Sequence, residues 1–311
     1  MENLKHSILT IVLIAVVLGI LPLFLSENIM SFLTEIFILA LCGTALNLLV
    51  GGAGVVSFGH AGFFAVGAYT FSLLAYYTNV GFFTSFICAP IVTAIFALIC
   101  GYFCVKMVDV YFALLALAFS QIVYVFLFNF YEFTKGDDGI TGIPIPEALV
   151  SINNCYWFVL VVVMICFVIM RIITKSSFGG AATAMRENKE RVESIGVNYK
   201  KYLLILFVIS GTITGIAGSL MAIFMRGAFP TFSGFDKSGE FLLVGIMGGV
   251  NYFIGPAVGA TIYMSVDHAL SGYTEYWLFY MGVLLVAITL YFRGGVVEMV
   301  DKKIKSLKIK K

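Results

Sequence analysis

Charge is what this chain has least of. Asp, Glu, Lys and Arg make up only 12% of its 311 residues, where a soluble domain carries about a quarter. Between Ile36 and Gly101 there is none at all. Water-soluble folds do not leave such runs uncharged, so the composition excludes them and implies an integral membrane protein with several helical spans. The apolar runs are continuous, whereas strands of a membrane β-barrel alternate apolar and polar residues, so that class is excluded as well. The chain also lacks reactive motifs. It has no Gly-Lys-Ser/Thr phosphate loop, no HExxH helix, no CxxC, and only His6, His60 and His268 as histidines. No catalytic, nucleotide-hydrolysing, metal or cofactor site is expected. If the chain moves a solute uphill, another polypeptide supplies the energy.

Two further scarcities narrow the class. Cys42, Cys88, Cys100, Cys104 and Cys166 lie inside apolar runs, with Cys155 near a span end. None has metal-ligand spacing, and they read as inert buried thiols. Ionisable residues within spans are also few. Glu35 is the one full charge well inside an apolar run, in early turns where the positive helix end favours an acid. His60 opens the third span and reads as a packed or hydrogen-bonded helix-start residue, while Asp267 and His268 fall at an outer span end. The missing acid/base chain argues against a proton- or ion-coupled carrier.

What is present is hydrophobic length. Apolar runs at 8–25, 29–50, 60–78, 82–104, 110–130, 156–173, 202–225, 241–250, 252–267 and 276–292 suggest about ten crossings, most near the ~20 residues a bilayer core requires. The first run is longer than a signal-peptide core and is expected to be a retained span. With the N-terminus inside, 16 of the 19 Lys and Arg face the cytoplasm, among them Lys5, Lys106, Arg293 and the basic tail at 301–311. Only Lys135, Arg226 and Lys237 then lie outside, the asymmetry of the positive-inside rule. That parity requires the short run 241–250 to cross. Ten residues give only ~15 Å of helix, which is tolerated where protein or a water-filled cavity surrounds it.

The segment KSSFGGAATAMRENKERVESIGVNYKK (175–201) is a polar island. Arg186/Glu190, Glu187/Arg191 and Lys189/Glu193 are spaced i,i+4, so opposite charges are expected to meet along one helix. Ser176 or Ser177 can cap its start and Gly196 suits its end. Met185, Val192 and Ile195 leave a thin apolar stripe. The expectation is a docking element outside the bilayer.

Two stretches share a layout: LLVGGAGVVSFGHAGFFAVGA (Leu48–Ala68) and LLVGIMGGVNYFIGPAVGA (Leu242–Ala260). Interrupted segments in corresponding halves point to a transport pathway, which nominates Gly51, Gly52, Gly54, Gly59, His60, Gly245, Gly248, Gly249, Gly255 and Pro256. The other reading is close helix packing through small residues. The largest outer loop, 131–155, carries a net charge of −3 and, with Gly136, Gly139, Gly142, Pro144 and Pro146, suggests a turn-rich cap. It either receives a soluble partner or is an ordinary solvated loop.

Three stretches (46–70, 111–144, and 176–220 continuing at 240–260) resemble the permease subunits of branched-chain amino acid ABC importers, the LivM type in particular. They cover most of the chain in the family's order. The resemblance implies one transmembrane permease domain over 1–311 in the bacterial inner membrane, with both termini cytoplasmic. It implies two cytoplasmic ABC ATPase subunits, a second related permease and an extracytoplasmic binding protein as partners. The island, with ERVESIG at 190–196, corresponds to the family's EAA-like coupling loop, which places Arg186, Glu187, Glu190, Arg191, Glu193 and Gly196 toward the ATPase. Arg191 and Val192 stand where that loop usually has alanines. Asp137 and Asp138 become candidates for docking the binding protein. Leu, Ile and Val are the implied substrates, with urea or a short amide as the alternative from similar permeases and a stand-alone channel or carrier as a more distant one.

Overall fold

The structure is a computed structural model that describes residues 2–78, 80–194, 196–272, 277–291 and 294–309. Ile195 and Arg293, and the last two lysines of the tail, lie outside the described residues. The helices follow the apolar runs: α1 (Glu2–Ile20), α2 (Glu27–Asn47), α3 (His60–Tyr77), α4 (Phe82–Cys104) and α5 (Asp109–Asn129). Single turns α6 (Tyr131–Thr134) and α7 (Glu147–Val150) lead into α8 (Ile152–Lys175), α9 (Ser177–Glu187) and α10 (Lys189–Ser194). Then come α11 (Tyr199–Met225), α12 (Phe235–Gly248), α13 (Gly255–Ser271), α14 (Trp277–Tyr291) and α15 (Gly295–Ile309). Among the described residues, five helices (Glu27–Ala53, which includes a π-helical extension of α2, and α4, α5, α8 and α11) are long and apolar enough to cross a membrane. The protein is an all-α multi-pass membrane protein.

Its centre is α3, packed against α11, α4 and α5. Lipid tails are as apolar as leucine, so helices here gain by close van der Waals contact rather than by leaving water. Small residues permit that contact. A Cβ on Gly67 would strike the carbonyl of Gly215, and one on Gly218 would strike that of Phe64. Phe63, Phe64 and Phe207 fill the remaining space, with the Phe63 and Phe207 rings edge-on at 5.2 Å.

Three features depart from the sequence expectations. The run expected at 241–250 is a longer helix, Phe235–Gly248, 14 residues or about 21 Å. Its polar first turns are sustained by the ion pair of Lys237 Nζ with Glu240 Oε2 at 2.6 Å and by buried Ser238. It stops at Gly249, whose φ of 114° leaves the helical region. Second, the island is not one helix. Asn188 is extended (φ −158°) between α9 and α10, and its Oδ1 accepts from Arg191 N at 2.8 Å as a new N-cap. Arg186/Glu190 and Glu187/Arg191 straddle this break, and no ion pair forms within the island among the described residues. Third, the loop after α5 is pinned by a small antiparallel ribbon, β1 (Ile140–Thr141) with β2 (Gly227–Ala228), which ties it to the end of α11.

Charge gathers at one end of the bundle. Ser7 Oγ accepts from Arg171 Nε at 2.6 Å, which brings the start of α1 to the end of α8 that leads into the island. A Cβ on Gly101, near the close of α4 and Lys106, would meet Leu204 and Phe207 early in α11. The ribbon and the acidic loop occupy the opposite end.

Candidate functional site

Both halves of the sequence repeat contain a break, and each break turns on a positive-φ glycine. In the first, α2 unwinds through a π-helix at Leu48–Ala53 and reverses at Gly54, φ 73°. A stretch of irregular backbone, 55–59, then climbs back into the bundle before α3 starts at His60. In the second, α12 ends at Gly249 and a turn at 249–254 leads to α13. Pro256 in the first turn of α13 suits a position where a backbone N–H has no helical acceptor.

Arg186, the penultimate residue of α9, joins the two breaks. Its Nη1 donates to the carbonyl of Gly51 at 2.9 Å and its Nη2 to Asn251 Oδ1 at 3.0 Å. A planar guanidinium can hold two acceptors at once in fixed geometry, which a lysine ammonium cannot match. The glycines make the slot. A Cβ on Gly54 would lie 2.8 Å from Arg186 Cγ, and one on Gly51 would strike the Val250 carbonyl and stand 2.8 Å from Asn47 Oδ1. The turn is also held from its far side. Tyr252 Oη donates to Asp301 Oδ2 of α15 at 3.0 Å, and Lys305 Nζ donates to the same oxygen at 2.7 Å. The hydrogen bonds from Lys305 and then Tyr252 hold the Asp301 carboxyl below its ordinary value.

The island itself is anchored on its apolar side. Met185 and Val192 are buried, Ser176 Oγ accepts from Gly179 N to cap α9, and Phe178 stacks on Tyr202 at 5.2 Å. Gly196 (φ 86°) closes α10: its N–H bonds to Glu193 O and that of Val197 to Val192 O, a Schellman arrangement. Glu187, Glu190, Arg191 and Glu193 are all exposed.

Deeper in the bundle the irregular stretch 55–59 meets the segment 229–234, which descends from the ribbon and holds a single 3-10 turn at Pro230–Ser233. Gly59 and Gly62 back onto Ala116 and Ser120 of α5, and Ser120 Oγ donates to the Ser233 carbonyl at 3.1 Å. Ser238 Oγ donates to Phe58 O at 2.6 Å and accepts from Ala61 N at 3.3 Å. The Phe58 and Ser233 carbonyls and the Ala61 N–H are thus satisfied by serine hydroxyls, as a medium without water demands. His60 is fully buried between Ser57 and Ser210. Ser210 Oγ donates to Ala45 O, so it accepts from His60 Nε2, while Nδ1 pairs with Ser57 Oγ; the ring is a fixed spacer between α3 and α11.

The other nominated positions fall into two groups. Gly248, Gly255 and Gly259 form a backbone-on-backbone contact between α12 and α13, and a Cβ on Gly249 would lie 2.5 Å from the Gly294 carbonyl. Gly52 and Gly245 are different: a Cβ on Gly52 meets only Leu206 at 3.8 Å and one on Gly245 meets nothing within 4 Å. At the opposite end, Asp137 and Asp138 are exposed on a single 3-10 turn, with Tyr131 Oη donating to Asp138 Oδ2 at 3.3 Å. Sequence reasoning missed Asn251, Ser120, Ser238 and the stretch 229–234. Pro230 and Gly234 were the available signal for the last of these.

A family model described as "Branched-chain amino acid transport system / permease component" matches residues 28–289. The chain belongs to this permease family. The permease is 28% identical over 312 residues to the high-affinity branched-chain amino acid transport system permease protein LivM of Salmonella typhimurium, covering 91% of this chain and 73% of that one. The Escherichia coli LivM is 27% identical with the same coverage. The Salmonella typhimurium permease protein LivH is 24% identical, covering 88% of this chain and 97% of its own length. No solved structure matches the permease.

Proposed function

We propose that this permease is the membrane subunit of an ATP-driven importer of branched-chain amino acids, and that α9 and α10 are its coupling element. The observation that carries this reading is Arg186, which ties the island to Gly51 and Asn251 and hence to both broken segments. A cytoplasmic ATPase that grips the exposed charges of Glu187, Glu190, Arg191 and Glu193 would move both breaks through one side chain. In this reading the chain crosses the bacterial inner membrane about ten times with both termini cytoplasmic. A second related permease completes the pathway, two ABC ATPases power it, and an extracytoplasmic binding protein delivers substrate to the face bearing Asp137 and Asp138.

The pathway is proposed to run past the broken segments, beside Gly52, Gly54 and Gly245. Gly51, Gly59, His60, Gly248, Gly249, Gly255 and Pro256 shape it by letting backbones meet. Val56 and Ile254 in the broken segments and Phe235 at the start of α12, 36%, 51% and 53% exposed, are among the apolar side chains presented here. An apolar, uncharged lining suits Leu, Ile and Val.

A specific observation favours the alternative of an ion-coupled carrier. Glu35 lies within electrostatic reach of Lys237, Asp267, Glu240 and His268, a charged group that the bare sequence did not assemble. Proteoliposomes separate the two. Leucine uptake is expected only with binding protein, second permease, ATPases and ATP together, and to be insensitive to an imposed proton or sodium gradient. Gradient-driven leucine flux through this chain alone would contradict the importer reading.

A further inference from the structure

A groove of about 590 Å³ runs between α1 and α8, apart from the breaks and the island. Ile11, Ala15 and Val16 of α1 face Trp157, Met164 and Ile169 of α8 across it, and no charged or hydroxyl side chain lines it. The two helices run antiparallel and are pinned together at both ends of the groove. At one end Tyr156 Oη donates to the Leu18 carbonyl at 2.8 Å, and a Cβ on Gly19 would stand 3.0 Å from the Trp157 ring. At the other, Ser7 Oγ accepts from Arg171 Nε at 2.6 Å. Between the pins the helices part, leaving an apolar slot whose edges, Val12, Val16, Val161 and Ile165, are exposed to the bilayer.

Length and volume decide what fits. Along α8 the slot runs from Ile169 to Trp157, about 18 Å at ~1.5 Å per residue. One leaflet has a hydrocarbon depth of about 15 Å, half of the ~30 Å core. A partner helix must cross the whole core, and about 18 Å of a helix ~10 Å across occupies about 1,400 Å³. That is more than twice the volume of the groove. A single acyl chain has the right length and is thin enough. The mouth of the slot at the charged end supplies the other half of a lipid site. Arg171 is half-buried there, with its guanidinium 5.0 Å over the Phe253 ring. Ser7 takes one of its five N–H donors. Lys175, one turn further along α8, is exposed, and neither cation pairs with a carboxylate among the described residues. Two cations without an anion, at the head of an apolar slot one leaflet deep, complement a phosphate carried on an acyl chain.

We propose that this groove is a binding site for an anionic phospholipid of the leaflet at the charged end. One acyl chain lies in the slot and points toward Trp157. The phosphate is held by the remaining donors of Arg171 and by Lys175. The inference goes beyond the importer reading, and only the naming of that leaflet as cytoplasmic rests on it. Because α1 packs on α8 and α8 leads into the island, the lipid fills the gap in that seam and braces the end of α8 from which the island starts.

The chain has two tryptophans, Trp157 and Trp277, so Trp277→Phe leaves Trp157 as a reporter in the groove. Brominated acyl chains quench tryptophan fluorescence on contact. The full chain is placed in phosphatidylcholine nanodiscs that carry one brominated lipid at a fixed minor fraction. Brominated phosphatidylglycerol is expected to quench Trp157 at least threefold more than brominated phosphatidylcholine. Arg171→Gln keeps a donor for Ser7 and is expected to bring the two lipids level. Ala15→Phe fills the slot from the α1 side without changing charge, and is expected to abolish the preference as well. Equal quenching by the two lipids without these substitutions, or a preference kept in Arg171→Gln or in Ala15→Phe, would overturn the proposal. So would loss of the preference on adding a tryptophan-free second permease, which would make the groove a protein interface. The quenching readout needs no ATPase and no flux. Its failure leaves the importer reading standing, and failure of ATP-driven leucine uptake leaves the lipid result intact.

Discussion

Arg186→Ala is expected to lower ATP-driven leucine uptake by tenfold or more while substrate-stimulated ATP hydrolysis stays within about twofold of the native rate. Arg186 is exposed, so its removal leaves the packing of the bundle alone. What it removes is a side chain that bonds to both Gly51 and Asn251. The ATPase would still bind the island, but its movement would no longer be transmitted to either break. Arg186→Lys should restore less than half of the lost uptake, because a single ammonium cannot hold a carbonyl and an amide oxygen in the fork geometry of a guanidinium. Asn251→Leu keeps the Gly51 bond and loses the other, and an intermediate defect is expected. Matched measurements of uptake and phosphate release in proteoliposomes read these outcomes. Equal loss of hydrolysis and uptake in Arg186→Ala would place Arg186 in assembly rather than transmission.

The second large effect concerns folding. Gly249→Ala is expected to destabilise the protein by about 2–5 kcal/mol, combining ~1–2 kcal/mol for a left-handed backbone with about 1–3 kcal/mol for overpacking. Its φ is 114°, and the added Cβ would sit 2.5 Å from the Gly294 carbonyl, a backbone atom that cannot swing aside. Gly245→Ala, one turn earlier on the same helix, should do the reverse. The position is helical with nothing within 4 Å of the new Cβ, so alanine gains about 0.5–1 kcal/mol of helix propensity. Thermal unfolding in detergent, followed by loss of monodisperse protein, compares the two. The pair also separates roles. If Gly245 borders the pathway, its alanine variant folds better and transports more slowly.

Much of this architecture was legible in the sequence because membrane helices announce themselves by unbroken apolar length. The runs at 82–104 and 110–130 match α4 and α5 to within a residue at each end. The positive-φ glycines were also readable as punctuation, and Gly54, Gly196 and Gly249 all adopt that conformation. Charge spacing misled at the island. The i,i+4 pairs presumed one helix, but Asn188 bonds to Arg191 N and starts a second one, which separates Arg186 from Glu190 and Glu187 from Arg191. That capping preference is local and could have been weighed against the weaker attraction of exposed ion pairs. The start of α12 was missed for the opposite reason: Asp236, Lys237 and Glu240 look like loop, and only the paired geometry at 2.6 Å makes them helical. The joining of Arg186 to Asn251 was not legible at all, since nothing local reports a contact between residues 65 positions apart.

The central claim is that the island and the first broken segment move as one body, held by Arg186. Double electron–electron resonance between spin labels at Ala184 on α9 and Val56 on the broken segment, both exposed sites, measures this in the reconstituted importer. The account predicts that the Ala184–Val56 distance distribution is the same with and without a non-hydrolysable ATP analogue in the native background, and that it broadens and becomes nucleotide-dependent in Arg186→Ala. A native distribution that shifts with nucleotide as much as the Arg186→Ala distribution does would contradict it.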